Sequence, residues 1–165
     1  MNQPSIAIAV IMERYAIESR WVTHAWRVAG VELEDTAGEM LETVGGSWFQ
    51  RHGGFALVLY RDEAEGYYLN VATGTPNVFV MWRQADGELD GQTADGEAAP
   101  LPHSLTVSYN EAARWMDAQE RVDAVPMPGS MAQWLADYVA THYKPEPKKK
   151  RIKNSFLAPR DKAKL

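Results

Sequence analysis

Apolar and polar residues alternate with a period of two through Ile6–Arg14, "IAIAVIMER", and this predicts a first strand rich in β-branched residues. A second strand is predicted within "WVTHAWRVAGVELE", where Trp26 and Val28, then Val31 and Leu33, fall on alternate positions. Gly30 breaks the phase between them as a bulge would. "FALVLYRD" and "GYYLNVAT" read as two further strands, joined as a hairpin through "RDEAEG" with Gly66 near the turn. "NVFVMWRQ" follows the Gly-Pro turn chemistry of "TGTPN" and reads as a fifth strand; "SLTVSYN" reads as a sixth.

Helical spacing appears only after this. Ser108 and Glu111 have the S-x-x-E spacing of a capping box ahead of the short helix "AARWMDAQE". In "VPMPGSMAQWLADYVATHY", Met131, Trp134, Leu135, Tyr138, Val139 and His142 recur on one helical face, with Ser130 as the expected cap. Lys144-Pro145 ends that helix, because proline disfavours the helical conformation in the residue before it. Strands first and helices last predict an α+β domain over residues 1–143. The expected form is an antiparallel sheet or partly open barrel of about six strands, closed by the C-terminal amphipathic helix. The stretch 85–102, "ADGELDGQTADGEAAPLP", holds five acidic residues, three Gly and two Pro and no basic group. It reads as a mobile acidic loop.

Charge adds a boundary that hydropathy does not show. The chain of 165 residues carries a formal net charge of −5, yet all seven lysines follow Tyr143. Residues 144–165 hold those lysines and two arginines against one Glu and one Asp, a net +7, which leaves −12 on residues 1–143. Such asymmetry sets the basic tail apart, as a separate binding element, as a strap folded back on the acidic body, or as a solvated extension that aids solubility. The exclusive use of Arg in the body reads as compositional, although Arg forks also bind carboxylates bidentately.

The chemistry on offer is narrow. The absence of Cys excludes disulfides, thiolate catalysis and Cys-ligated metal sites. The four His residues show no helix-spaced metal pair, and there is no P-loop, dinucleotide fingerprint or nucleophile elbow. No catalytic residue, cofactor or metal site is therefore assigned. The most site-like segment is "GGSWFQRHGG", Gly45–Gly54. It is either a ligand-contact loop in which Trp48, Arg51 and His52 converge, or an ordinary strand with its aromatics in the core. "SIAIAVIM" is short and lacks a basic flank, so it reads as a strand rather than a targeting signal, and no apolar run reaches the ~20 residues of a membrane span.

"VIMERY", "LVLYRDEAEGYYLNVATGTPNVFVMWR", "NEAARWMD", "VDAVPMP" and the helix leading into "HYKPEPKKKR" together resemble the bacterial domain of unknown function 3305 family, over about residues 6–157 without the acidic loop. That family has no established activity or catalytic residue to carry over. The resemblance implies a context: a cytoplasmic bacterial protein encoded near molybdenum-dependent formate dehydrogenases and their accessory genes. The resulting expectation is a non-enzymatic accessory or subunit-like protein that binds such a redox enzyme or its maturation machinery. Lys148, Lys149, Lys150, Arg151 and Lys153 would clamp an acidic protein partner, and Ile152, Phe156 and Leu157 would anchor it. Two alternatives stand beside it: a small-molecule-binding or catalytic domain using Gly45–Gly54, and association of the tail with an anionic membrane surface. The acidic body opposes a nucleic-acid partner.

Overall fold

A computed structural model describes residues 3–21, 24–34, 41–44, 47–84 and 99–145. Among the described residues the chain forms seven strands and three α-helices: β1 (Ser5–Ala16), β2 (His24–Leu33), β3 (Leu41–Val44), β4 (Ser47–Val58), α1 (Ala64–Val71), β5 (Asn77–Arg83), β6 (Leu101–Thr106), α2 (Tyr109–Asp117), β7 (Arg121–Pro126) and α3 (Gly129–His142). A single 3₁₀ turn, Arg61–Glu63, leads directly into α1. The class is α+β, and among the described residues every strand pair is antiparallel. The expected six-strand sheet or partly open barrel is replaced by two open sheets, one of four strands in the order β2-β1-β4-β3 and one of three in the order β6-β5-β7.

The strand reading holds best where the period-two pattern is longest. On β1, Ile8, Val10 and Met12 face the core. Opposite them the β2 register slips between Gly30 and Val28, so the bulge falls where Gly30 broke the phase. A second bulge lies on β4. Ile8 pairs with Phe55 and Val10 with His52, which leaves Gly53 and Gly54 opposite Ala9. Gly54 has φ +87°, a conformation that favours glycine, and its N–H donates to Glu34 Oε1 at 2.8 Å.

The predicted hairpin through "RDEAEG" is not formed. "GYYLNVAT" lies mostly in α1, because its buried positions Ala64, Tyr67 and Asn70 recur every three residues and belong to one helical face. The strand propensity of Tyr and Val is overridden there by tertiary packing. Gly66 is not a turn residue. It lets α1 approach the start of α2 so closely that a Cβ would lie 2.0 Å from Ser108 Oγ. Asn70, 1% exposed, completes the junction: its Nδ2 donates to the carbonyls of Asn77 (2.8 Å) and Val107 (2.9 Å), and its Oδ1 accepts from Asn77 N–H (2.9 Å).

Both predicted helices near the C-terminus form. Ser108 caps α2, its Oγ accepting from Glu111 N–H at 3.1 Å. Its own N–H goes to Thr106 Oγ1 at 3.0 Å, so the Glu111 arm of a capping box is not used. In α3 the N-cap is Pro128 rather than Ser130, which lies inside the first turn. Met131, Leu135, Tyr138 and Val139 are its buried face, at roughly 1.5–3 kcal/mol for each large side chain fully buried. Between these helices, β7 was not expected. "RVDAVP" has only short apolar side chains around Asp123, and only Val125 is buried. Strand β6 starts at Leu101, so the last two residues of the predicted acidic loop belong to a strand and Ala99 and Pro100 are buried; residues 85–98 lie outside the described set.

The two sheets, α1 and α3 share one hydrophobic core, in which Val10, Leu57, Val80, Tyr67 and Leu135 all take part. The sheets are also tied by a polar bond: Asp123 Oδ2 on β7 accepts the Val28 N–H of β2 at 2.9 Å.

Candidate functional site: a cleft of unpaired polar side chains

The period of β4 decides the fate of the Gly45–Gly54 segment. Ser47–Gly54 is strand, not a ligand loop, and Gly45 lies outside the described residues. Trp48 pairs with Arg14 and His52 with Val10, on the face that carries Met12 into the core. Trp48 meets Trp26 edge-on at 5.5 Å. Arg51, an odd number of residues away, pairs with Ile11 on the opposite face and bonds Glu32 at 3.3 Å. The three side chains therefore do not converge on one pocket. Burial holds the His52 imidazole below its ordinary pKa, and its Nε2 is buried without a hydrogen-bond partner, as are Gln50 Oε1 and Trp82 Nε1. The expected tail contacts Lys148, Lys149, Lys150, Arg151, Ile152, Lys153, Phe156 and Leu157 lie outside the described residues.

A cleft of about 370 Å³ opens elsewhere, where the chain leaves β4 and α3 ends. Gln3, Pro4, Leu59, Tyr60, Arg61, Asp62, Tyr138 and His142 line it. Its walls are built from segments with reasons to be rigid. Leu59 N–H donates to the Pro4 carbonyl at 2.9 Å, which fixes the N-terminal strand against the end of β4. Tyr67 holds two walls at once. Its hydroxyl accepts the Tyr60 N–H at 2.9 Å, and its ring meets Tyr138 edge-on at 5.8 Å. Burial pushes the Tyr67 phenol up to about 12, so it stays a neutral hydroxyl across the physiological range.

The chemistry of the cleft is a set of donors beside aromatic surface. Tyr138 is only 8% exposed, and its ring lies 4.4 Å from the His142 imidazole. Burial also raises the Tyr138 pKa, while the Arg61 charge pulls it down and Asp62 adds to the rise. Among the described residues, the side chains of Gln3, Tyr60, Arg61, Asp62 and Tyr138 form no hydrogen bond or ion pair; the His142 ring stacks at a tilt on Tyr138. Elsewhere carboxylates find partners: Glu13 with Arg27, Glu63 with Ser108 and Arg114, Glu120 with Arg83.

Sequence reasoning missed this cleft. It assigned Arg61 and Asp62 to a hairpin turn and read Tyr138 and His142 only as helix-face residues. The one signal in the sequence was an apolar helical stripe that ends in Tyr138 and His142, a polar-tipped pair at i and i+4.

The fold and cleft define an α+β domain of two packed open sheets with a polar cleft at one end and a basic C-terminal extension. The chain belongs to the family described as Protein of unknown function (DUF3305), which it matches over residues 7–152. No curated protein and no solved structure matches it. Among the described residues, no helix is long and apolar enough to cross a membrane.

Proposed function

We propose that this protein is a non-enzymatic cytoplasmic accessory factor that docks on an acidic protein partner, a formate-dehydrogenase-type redox enzyme or its maturation machinery. One observation carries this reading: every lysine is held back for the segment after Tyr143, at net +7, behind a body at net −12. Opposite charges steer association, and an acidic body repels wrong contacts with the same acidic partner. Support for a distinct arm comes from the exit of α3, where Tyr143 packs on Tyr68 with ring centroids 4.9 Å apart and Lys144 and Pro145 stand exposed. Lys148–Lys150, Arg151 and Lys153 supply the charge; Ile152, Phe156 and Leu157 supply the apolar anchors. The partner class comes from the family resemblance alone.

The test is a pull-down from native lysate at low and high salt, comparing the full chain with a chain ending at Tyr143. Capture of a formate dehydrogenase or its accessory proteins by the full chain, lost on truncation and weakened by salt, supports the proposal. Equal capture by both chains assigns binding to the body. Capture of neither, together with flotation of the full chain on anionic but not neutral vesicles, replaces the protein partner with a membrane surface.

A further inference from the structure

The geometry points to the cleft between the β4–α1 junction and the end of α3 as a binding site for a small monoanionic carboxylate carried on a flat apolar body. This site is separate from the basic tail and does not depend on the docking role. Its volume of about 370 Å³ falls in the range of roughly 300–1,000 Å³ typical of small-ligand clefts. Apolar surface comes from Pro4, with the fully buried Leu59 in the lining, and from two tyrosine rings, one of which, Tyr60, is 47% exposed at the mouth. An aromatic left open to water beside a concave surface is a contact surface awaiting a partner.

The polar groups select the head of the ligand. Arg61 presents a planar fork of donors that matches a carboxylate, and no carboxylate of the described residues pairs with it. Tyr138 and Gln3 add neutral donors, and His142 adds an imidazole at the far wall. Asp62 sets the limit on charge. With a carboxylate in the lining, on a body at net −12, a singly charged head is accommodated and a phosphate dianion is repelled. The ring goes against Tyr60 and Tyr138, and the head goes toward Arg61. Tyr67, which holds both tyrosines from behind, keeps the site preformed.

The test uses the full chain at physiological ionic strength, with benzoate, its neutral isostere benzamide and phenyl phosphate titrated into ¹⁵N-labelled protein. The expected result is saturable benzoate shifts confined to amides of residues 59–62 and 138–142, with a dissociation constant on the order of a millimolar for so small a fragment. Benzamide and phenyl phosphate should bind more weakly. Arg61→Gln should weaken benzoate about tenfold or more, the loss of a charge-assisted bond, and Arg61→Lys should retain part of it. Arg61 is exposed, so both variants should melt with the wild type. Benzoate shifts spread over the basic tail, equal binding of benzoate and benzamide, unchanged affinity in Arg61→Gln, or no saturable binding would each overturn the proposal.

Discussion

The α1–α2 junction and the cleft treat polar groups in opposite ways. At the junction the polar side chains bond one another or the backbone. Asn70 uses three hydrogen bonds, Ser108 Oγ donates to Glu63 Oε2 at 2.5 Å while accepting from Glu111, and Arg114 closes on the other Glu63 oxygen. In the cleft, Arg61, Asp62 and Tyr138 engage no other side chain of the described residues by hydrogen bond or ion pair. Only one turn of chain separates Arg61 from Ala64. The difference teaches where this protein spends polar chemistry on stability and where it leaves that chemistry to face a ligand.

The comparison is broken most severely at Asn70. Asn70→Ala strips partners from the Asn77 N–H and from the Asn77 and Val107 carbonyls, and urea unfolding should show a loss of about 3 kcal/mol or more. Gly66→Ala comes next. Its Cβ meets Ser108 Oγ at 2.0 Å, Ser108 Cβ at 3.0 Å and the Asn110 N at 3.3 Å, so α1 and α2 must part, at a cost of about 2 kcal/mol by the same measurement.

Acid sensitivity gives a smaller effect with a definite sign. Arg27 holds the Glu13 carboxyl below its ordinary value of 4.5, against the raising effect of burial, with Ser47 assisting. A carboxyl depressed in the folded state stabilises above its unfolded pKa, and that contribution fades as pH falls below about 4.5 through the folded value. His52 acts higher. Burial depresses its folded pKa below 6.5, so stability present above 6.5 declines as pH falls through that lowered value. Melting temperature against pH should therefore bend twice; Glu13→Gln should shrink the lower bend, to which the Glu120 carboxyl, also lowered by its bond to Arg83, contributes, and His52→Phe should remove the upper. The smallest effect is expected in the cleft, where Arg61→Gln should change unfolding free energy by about 0.5 kcal/mol or less. A large loss there would mean that Arg61 is structural after all.

Legibility followed the range of the forces involved. β1, β2 and α3 could be read because their burial patterns are local and long, and Gly30 marked its bulge in the sequence itself. α1 could not, because its recurring buried positions are Ala64, Tyr67 and Asn70, a small, an aromatic and a polar side chain that hydropathy does not group together. What makes the segment a helix is Asn70 reaching Val107, thirty-seven residues away. β7 was hidden for a similar reason, since it is a strand by virtue of pairing with β5, not by its own apolar content. The site fared worse than the fold. Trp48, Arg51 and His52 are neighbours in sequence, yet the pleat turns Arg51 away from the other two, whereas Arg61 and His142 are distant in sequence and meet at one cleft.

The bond from Asp123 to the Val28 N–H reaches beyond the union of two sheets. β2 is the outermost strand of its sheet among the described residues, and an outer strand with open donors is a template on which another chain can add itself. A carboxylate already seated on one of those donors is a stopper: an incoming strand must evict a charge before its ladder can pass that point.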